Sequence, residues 1–248
     1  MALLFVTPTQ EELFALFSHT LPHADLQAAR TKGQSSNLLM QAPKKLLGRD
    51  DVYLSLTGVG PVNAAFATGL AIGALTAKGV TLEALLLFGL AGAYDLTRYP
   101  LCSLCRITQE IWPEYGLNDG HSVIAEAFKW PQWQKEDGPI YDRLSLSDPD
   151  TKGLPSGLTD SSFLTAESVT VAGVSASYER ARTLWDTYHA PLENMEGFAV
   201  AYSAMRAGIP VAEIRAVSNK VGPRRADEKD FPGSLAKLGD ILPTLNLI

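Results

Sequence analysis

Leu192-Glu193-Asn194-Met195-Glu196-Gly197-Phe198 is a run that combines two carboxylates, an amide, a thioether and a glycine. A helical pattern precedes it at 177–188, and an alanine-rich helical pattern follows it at 198–205. Met195 and Glu196 are therefore predicted to lie where a helix begins, a place where ligands bind in open α/β sheets. An acidic first turn is also favoured by the helix dipole, and methionine is often a core residue. The run alone leaves both interpretations open.

Apolar runs and helical patterns alternate on either side of this stretch. Downstream, 211–217 predicts a strand that ends at Ser218 and Asn219, and upstream runs predict strands at 3–6, 52–56, 84–88, 101–107 and 162–171. Helices are predicted from Gln10, after a Thr9/Glu12 capping box, and from Pro61. This alternation predicts an α/β protein with helices on both faces of a sheet, in a single domain over 1–248.

The segment 111–160 has little periodicity and many Pro, Gly and Asp residues. It predicts a long surface excursion with one short helix near 123–130, and such excursions often cover sites.

Composition excludes several classes of protein. The chain has 248 residues, 46% of them hydrophobic, and a net charge of -6, which argues against a nucleic-acid partner. Its longest run without a polar side chain, 84–93, is too short to span a membrane, and no signal peptide is recognisable, so a cytoplasmic location is expected. Cys102 and Cys105 form a single CxxC without a second pair, and the histidines are not at ligand spacing, so no metal is expected.

Gly58-Val59-Gly60-Pro61-Val62-Asn63 is close to a dinucleotide-binding fingerprint. Asn63 replaces its third glycine, and Pro61 removes an amide that could face a phosphate. A dinucleotide oxidoreductase is therefore disfavoured, whereas a tight turn whose backbone faces a ligand or anion stays open.

Three polar side chains are left as candidates for chemistry. Glu12, Glu196 and Asn219 each lie just past a predicted strand end. Because strand ends meet at one edge of an open sheet, these side chains are expected to converge across one crevice.

Four parts of the sequence together resemble the purine nucleoside phosphorylase and nucleosidase superfamily: the quoted run, 214–219 (IRAVSN), Glu12 and 89–92 (GLAG). Length and motif order are similar to its methylthioadenosine/adenosylhomocysteine nucleosidase branch, and 8–12 and 218–224 look most like the futalosine hydrolases of the alternative menaquinone pathway. The resemblance implies a three-layer α/β/α domain with a mixed central sheet. It also implies hydrolysis of the N-ribosidic bond of futalosine with release of hypoxanthine, no cofactor, a purine nucleoside as partner, and a homo-oligomer.

The resemblance also implies roles for individual residues. Glu196 would bind the ribose hydroxyls with Met195 against the sugar, Glu12 would be the general base, and Asn219 would donate to N7 of the departing purine. Gly92 belongs to the matching motif at 89–92. Thr170 and Val171 would contact the base, and Arg224 or Arg225 would pair with the substrate carboxylate.

Two departures from the superfamily pattern affect the choice of reaction. Adenine-specific relatives usually carry Asp where this chain has Asn219, and an amide can stabilise a base only by hydrogen bonding. Several relatives have Ser where this chain has Leu90, and loss of that hydroxyl favours water over phosphate. The alternatives are an adenine-releasing nucleosidase, a purine nucleoside phosphorylase and a non-catalytic nucleoside-binding protein.

Overall fold

The computed structural model describes residues 2–20, 39–42, 51–120 and 122–248. Its strands are β1 (Ala2–Thr7), β2 (Leu39–Gln41), β3 (Val52–Leu56), β4 (Leu82–Ala93), β5 (Leu104–Ile111), β6 (Leu117–Asn118), β7 (Val123–Ile124), β8 (Trp133–Lys135), β9 (Gly138–Ile140), β10 (Arg143–Ser145), β11 (Phe163–Thr170), β12 (Leu192–Asn194) and β13 (Val211–Lys220). Its helices are α1 (Gln10–Leu16), α2 (Pro61–Ala77), α3 (Tyr178–Tyr188), α4 (Gly197–Arg206), α5 (Phe231–Leu238) and α6 (Ile241–Thr244).

Nine strands form one mixed central sheet, in the order β10-β5-β11-β12-β4-β1-β3-β2, with β13 paired to both β4 and β5. β1, β3, β4 and β13 run parallel, whereas β12 is antiparallel to β4, and β13 is antiparallel to β5. The α/β fold with a mixed central sheet is thus confirmed. That the whole chain, 1–248, forms one domain stays a prediction.

Helices cover both faces of the sheet, as the alternating pattern predicts. On one face α2 and α4 pack in a core that contains Leu85 and Leu87, and on the other α1, α5 and α6 pack in a core that contains Leu86 and Phe88. All four residues belong to β4, whose side chains alternate between the faces with a period of two. None of the described helices is long and apolar enough to span a membrane.

Local sequence signals place several element boundaries correctly. The Thr9/Glu12 capping box forms at the start of α1, and Pro61 is the first residue of α2. Two strands are longer than predicted, because β4 continues through the 89–92 motif and β13 continues to Lys220. The strand β12 was not predicted, since a run of three residues has no measurable periodicity.

The prediction for 111–160 is wrong in part. Two hairpins, β6–β7 and β8–β9, lie in this segment, and β10 joins the central sheet as the antiparallel neighbour of β5. The predicted helix near 123–130 is only a 3₁₀ turn at Glu126–Phe128, which ends at Lys129 with φ 58°. Cys102 lies before β5 instead of inside it, with φ 65°, whereas Cys105 is buried in the strand.

Candidate active site

Three of the predicted site residues lie around the carboxyl half of β4. Glu12 reaches it from α1, Glu196 reaches it from the start of α4, and Asn219 lies beside it on β13. The three groups are far apart in sequence. The parallel pairing of β1 and β13 with β4 brings Glu12 and Asn219 to this part of the sheet, and β12, which is antiparallel to β4, brings Glu196 there.

Glu12 is held by local and long-range hydrogen bonds at once. Its Oε2 accepts from the amide and hydroxyl of Thr9, at 2.9 and 2.6 Å, and its Oε1 accepts from the amide of Leu90 at 2.9 Å. Burial raises the pKa of Glu12 above the ordinary value of 4.5, although the bonds from Thr9 and Leu90 and the charge of Arg215 oppose the shift. A carboxylate with a raised pKa and a fixed orientation is suited to accept a proton.

Glu196 is the N-cap residue of α4 and is buried. Its Oε1 accepts from the amide of Gly60 at 3.1 Å, and its Oε2 lies 3.2 Å from Nη1 of Arg215. Gly60 has φ 96°, a conformation that side-chain-bearing residues rarely adopt, so the glycine turn allows this approach. The turn at 58–63 therefore faces an anion, and that anion is the chain's own carboxylate.

Arg215 is the centre of the site, and the sequence interpretation gave it no role. It is fully buried, and its Nη1 donates to the carbonyl of Leu90 and to Glu196, both at 3.2 Å. Its Nε donates to Glu213 at 2.7 Å. Burial alone would lower the pKa of Arg215, but attraction to Glu213 and Glu196 outweighs it and raises the pKa. A signal for this pair does exist, because Glu213 and Arg215 share one face of the otherwise apolar run 211–217.

Asn194 fixes the start of α4. Its Oδ1 accepts from the amides of Glu196 and Gly197, at 2.8 and 2.7 Å, which satisfies donors that a helix start leaves unpaired. The adjacent Glu193 instead accepts from the amide and hydroxyl of Ser175, at 2.8 and 2.6 Å. Asn194 therefore holds the backbone of the 192–198 run, Glu193 holds the segment at Ser175, and Glu196 is left for the site.

Asn219 and Gly92 lie opposite each other in the β4–β13 ladder. A Cβ on Gly92 would lie 2.9 Å from Cγ2 of Val221 and 3.1 Å from Nδ2 of Asn219, so glycine leaves room for the amide. In this structure that amide folds back on its own strand: Nδ2 donates to the carbonyl of Lys220 at 2.8 Å, and Oδ1 accepts from the hydroxyl of Ser218 at 3.0 Å.

Thr170 and Val171 are present near the site, but their side chains point into the protein. The Thr170 hydroxyl donates to Glu110 at 2.6 Å and accepts from the amide of Phe198 at 2.7 Å, so it supports α4. Val171 is fully buried in a small apolar cluster against which the half-buried Met195 packs.

Arg224 and Arg225 differ in their surroundings. Both are exposed, but Nε of Arg225 lies 3.5 Å from Asp227 and 4.0 Å from Glu228. No ion pair of Arg224 occurs within the described part of the chain, so Arg224 is the better candidate for an anionic group of a substrate.

The chain is similar to known proteins over most of its length. It is 35% identical to the futalosine hydrolase of Thermus thermophilus over 179 residues, which is 72% of this chain and 73% of that protein. The chain belongs to the futalosine hydrolase family. The futalosine hydrolase of Streptomyces coelicolor is 44% identical over a shorter stretch of 77 residues, 31% of this chain and 32% of that protein.

A phosphorylase superfamily model matches residues 166–240, a range that includes Glu196, Arg215 and Asn219 but not Glu12. Among solved structures, the methylthioadenosine/adenosylhomocysteine nucleosidase of Helicobacter pylori has the same fold, with a TM-score of 0.72 at 16% identity over 99% of this chain and 97% of that one. The native futalosine hydrolase of Helicobacter pylori gives 0.69 at 15% identity over 99% and 97%. Members of the futalosine hydrolase family and these nucleosidases thus share one architecture.

Proposed function

We propose that this protein hydrolyses the N-ribosidic bond of futalosine and releases hypoxanthine, a step in menaquinone biosynthesis. The observation that carries the proposal is the convergence of Glu12 and Glu196 on one buried arginine, in a chain that belongs to the futalosine hydrolase family. Two carboxylates with different surroundings can divide the work of sugar binding and water activation.

Glu196 binds the ribose in this proposal, and Glu12 activates the water. Glu196 already accepts from Gly60 and Arg215, and its remaining lone pairs can accept from the 2′- and 3′-hydroxyls. Met195, half-buried beside it, packs against the sugar. Glu12 takes a proton from water as the oxocarbenium-like transition state forms, much as in O-glycoside hydrolysis.

Asn219 stabilises the leaving purine. Its amide would exchange the carbonyl of Lys220 for N7 of the base, and Gly92 provides the space for that rotation. Thr170 and Val171 line the base through their backbone, since their side chains face inward. Arg224 then pairs with the carboxylate of the substrate.

Leu90 supports water as the nucleophile instead of phosphate. Its side chain has no hydroxyl, and its backbone serves the site: the amide donates to Glu12, and the carbonyl accepts from Arg215. Leu90 thus orients Glu12 and Arg215, and its side chain adds no hydrogen-bond donor for an inorganic anion.

The test is to incubate the protein with futalosine, aminodeoxyfutalosine, inosine and methylthioadenosine, with and without phosphate, and to chromatograph the free base. Hypoxanthine from futalosine without phosphate is expected. No base from any substrate would overturn the proposal, phosphate dependence would identify a phosphorylase, and preferential adenine release would identify an adenine-specific nucleosidase.

We also propose that the protein is cytoplasmic and pairs with a second copy through α2. No residue of this helix is charged, and Val62, Phe66 and Leu70 on its outer face are 81%, 62% and 51% exposed. Exposed apolar patches of this kind mark protein–protein contacts. The same helix starts at the Gly60 turn that holds Glu196, so pairing would support the site.

Phe66→Lys is expected to convert the dimer to a monomer in light scattering, because it buries a charge in an apolar contact. Thr76→Lys, an exposed position near the far end of α2, is the matched control and should remain dimeric. A monomeric parent protein would contradict the proposal.

A further inference from the structure

Two fully buried carboxyl groups lie beneath the start of α4, and neither has a role in the reaction as described. Glu110 comes from β5 and Glu213 from β13, and both face Gly197. A methyl group on Gly197 would overlap Oε1 of Glu110 and lie 2.7 Å from Oε1 of Glu213. The two carboxyl groups therefore occupy the same small space.

The hydrogen bonds around this pair leave one atom unmatched. Oε1 of Glu110 accepts from Nδ2 of Asn194 at 2.7 Å, and its Oε2 accepts from the Thr170 hydroxyl at 2.6 Å. Oε1 of Glu213 accepts from Arg215, but its Oε2 has no hydrogen-bond partner among the described residues. An unpaired carboxylate oxygen in the core is costly, so a missing donor is indicated.

A proton between the two carboxyl groups would supply that donor. The charged groups that surround the pair are Arg215, Glu196 and, beyond Arg215, Glu12, so one cation faces four acids. Two neighbouring carboxylates cannot both be ionised cheaply in such a place.

The two acids are not equivalent. Burial, together with the charge of Glu213, raises the pKa of Glu110 well above 4.5, and the opposing contributions of Thr170, Arg215 and Asn194 are smaller. Burial also raises the pKa of Glu213, but Arg215 lies directly against it and opposes the shift. The proton therefore belongs on Glu110.

We propose that Glu110 and Glu213 share one proton, with Glu110 as the acid and Glu213 as the carboxylate, and that they act as positioning residues for the site. Glu213 fixes the guanidinium of Arg215 from one side. The opposite edge of Arg215 is then directed at Glu196 and the carbonyl of Leu90. The inference deepens the proposed function and rests on it only where activity is the measurement.

The first test needs no activity. The infrared spectrum of the folded protein at neutral pH should contain the carbonyl band of a protonated carboxylic acid. Glu110→Gln should remove the band, and Glu167→Gln, on the neighbouring β11, should keep it. A wild-type spectrum without the band, or a Glu110→Gln spectrum that keeps it, would overturn the inference even if the protein hydrolyses futalosine.

The second test separates the two acids by kinetics. Glu213→Gln removes the charge that holds Arg215 and should lower kcat/KM by up to about 10²-fold, the cost of misplaced catalytic groups. Glu110→Gln keeps a neutral donor beside Glu213, so its loss should be smaller, and the decline of kcat/KM at alkaline pH should shift or disappear. Equal losses with unchanged pH profiles would assign both residues a purely structural role. If futalosine is not a substrate, the infrared result still decides the inference.

Discussion

At the scale of single residues, Glu12 shows how one side chain meets two demands. Its Oε2 closes a capping box with Thr9, and its Oε1 is oriented by Leu90. The capping box fixes the start of α1, and so the carboxylate keeps its direction before any substrate binds. Pre-orientation of this kind reduces the entropy cost of proton transfer.

Glu12→Gln should lower kcat for base release at least about 10²-fold, since an amide cannot accept the proton. Most of the hydrogen bonds of the capping box survive in this variant, so the fold should be retained. Glu11→Gln, the exposed neighbour in the same helical turn, is the control and should be nearly unaffected. Near-normal turnover by Glu12→Gln would reject its role as the base.

The pH profile provides a second check on Glu12. A general base works when ionised, and burial raises the pKa of Glu12 above 4.5. The value of kcat/KM should therefore fall as pH decreases through this raised pKa, at a higher pH than for an ordinary glutamate. A profile that is flat down to pH 4.5, the ordinary pKa of a glutamate, would argue against this role.

At the scale of elements, the start of α4 is the most constrained part of the site. Asn194 accepts from the first amides of the helix, Thr170 accepts from Phe198, and the two buried acids press against Gly197. The helix can begin at this point only because Gly197 has no side chain. The start of α4 in turn sets the position of Glu196, which is its N-cap residue.

Gly197→Ala should lower the free energy of unfolding by about 1–3 kcal/mol or more, because the methyl group overpacks a closed space. Denaturant unfolding measures this, and futalosine turnover should fall as Glu196 is displaced. Gly173→Ala is the control, since a Cβ there meets no atom within 4 Å. Equal stability of the two variants would contradict the close packing described for Gly197.

At the scale of the whole molecule, buried acids make stability depend on pH. Glu110, Glu213 and Glu12 all have raised pKa values, so the folded state binds more protons than the unfolded state above about pH 4.3. Their contribution to stability is fully present below the unfolded pKa and is lost as pH rises through the folded pKa values.

The free energy of unfolding should therefore fall as pH rises above the ordinary glutamate pKa and through these raised pKa values, measured by urea midpoints at successive pH values. Glu110→Gln should reduce this slope, because its side chain no longer titrates. Slopes that are identical in the wild type and in Glu110→Gln would show that Glu110 is not the group responsible.

The sequence alone determined the features that depend on near neighbours. Three of them follow from contacts a few residues apart: the capping box at Thr9, the start of α2 at Pro61 and the position of Glu196 at a helix start. The resemblance to the superfamily rests on short motifs as well, at 89–92, 193–197 and 214–219, together with Glu12. Only the tertiary structure decided what the polar groups do with one another. Arg215 meets Leu90, 125 positions away, because β13 pairs in parallel with β4. It meets Glu196, 19 positions away, because the antiparallel strand β12 places the start of α4 beside β4. The Thr170 hydroxyl donates to Glu110, and β10 pairs with β5, although both partners are distant in sequence. Buried polar groups need hydrogen-bond partners, and only the folded chain decides which distant residues supply them.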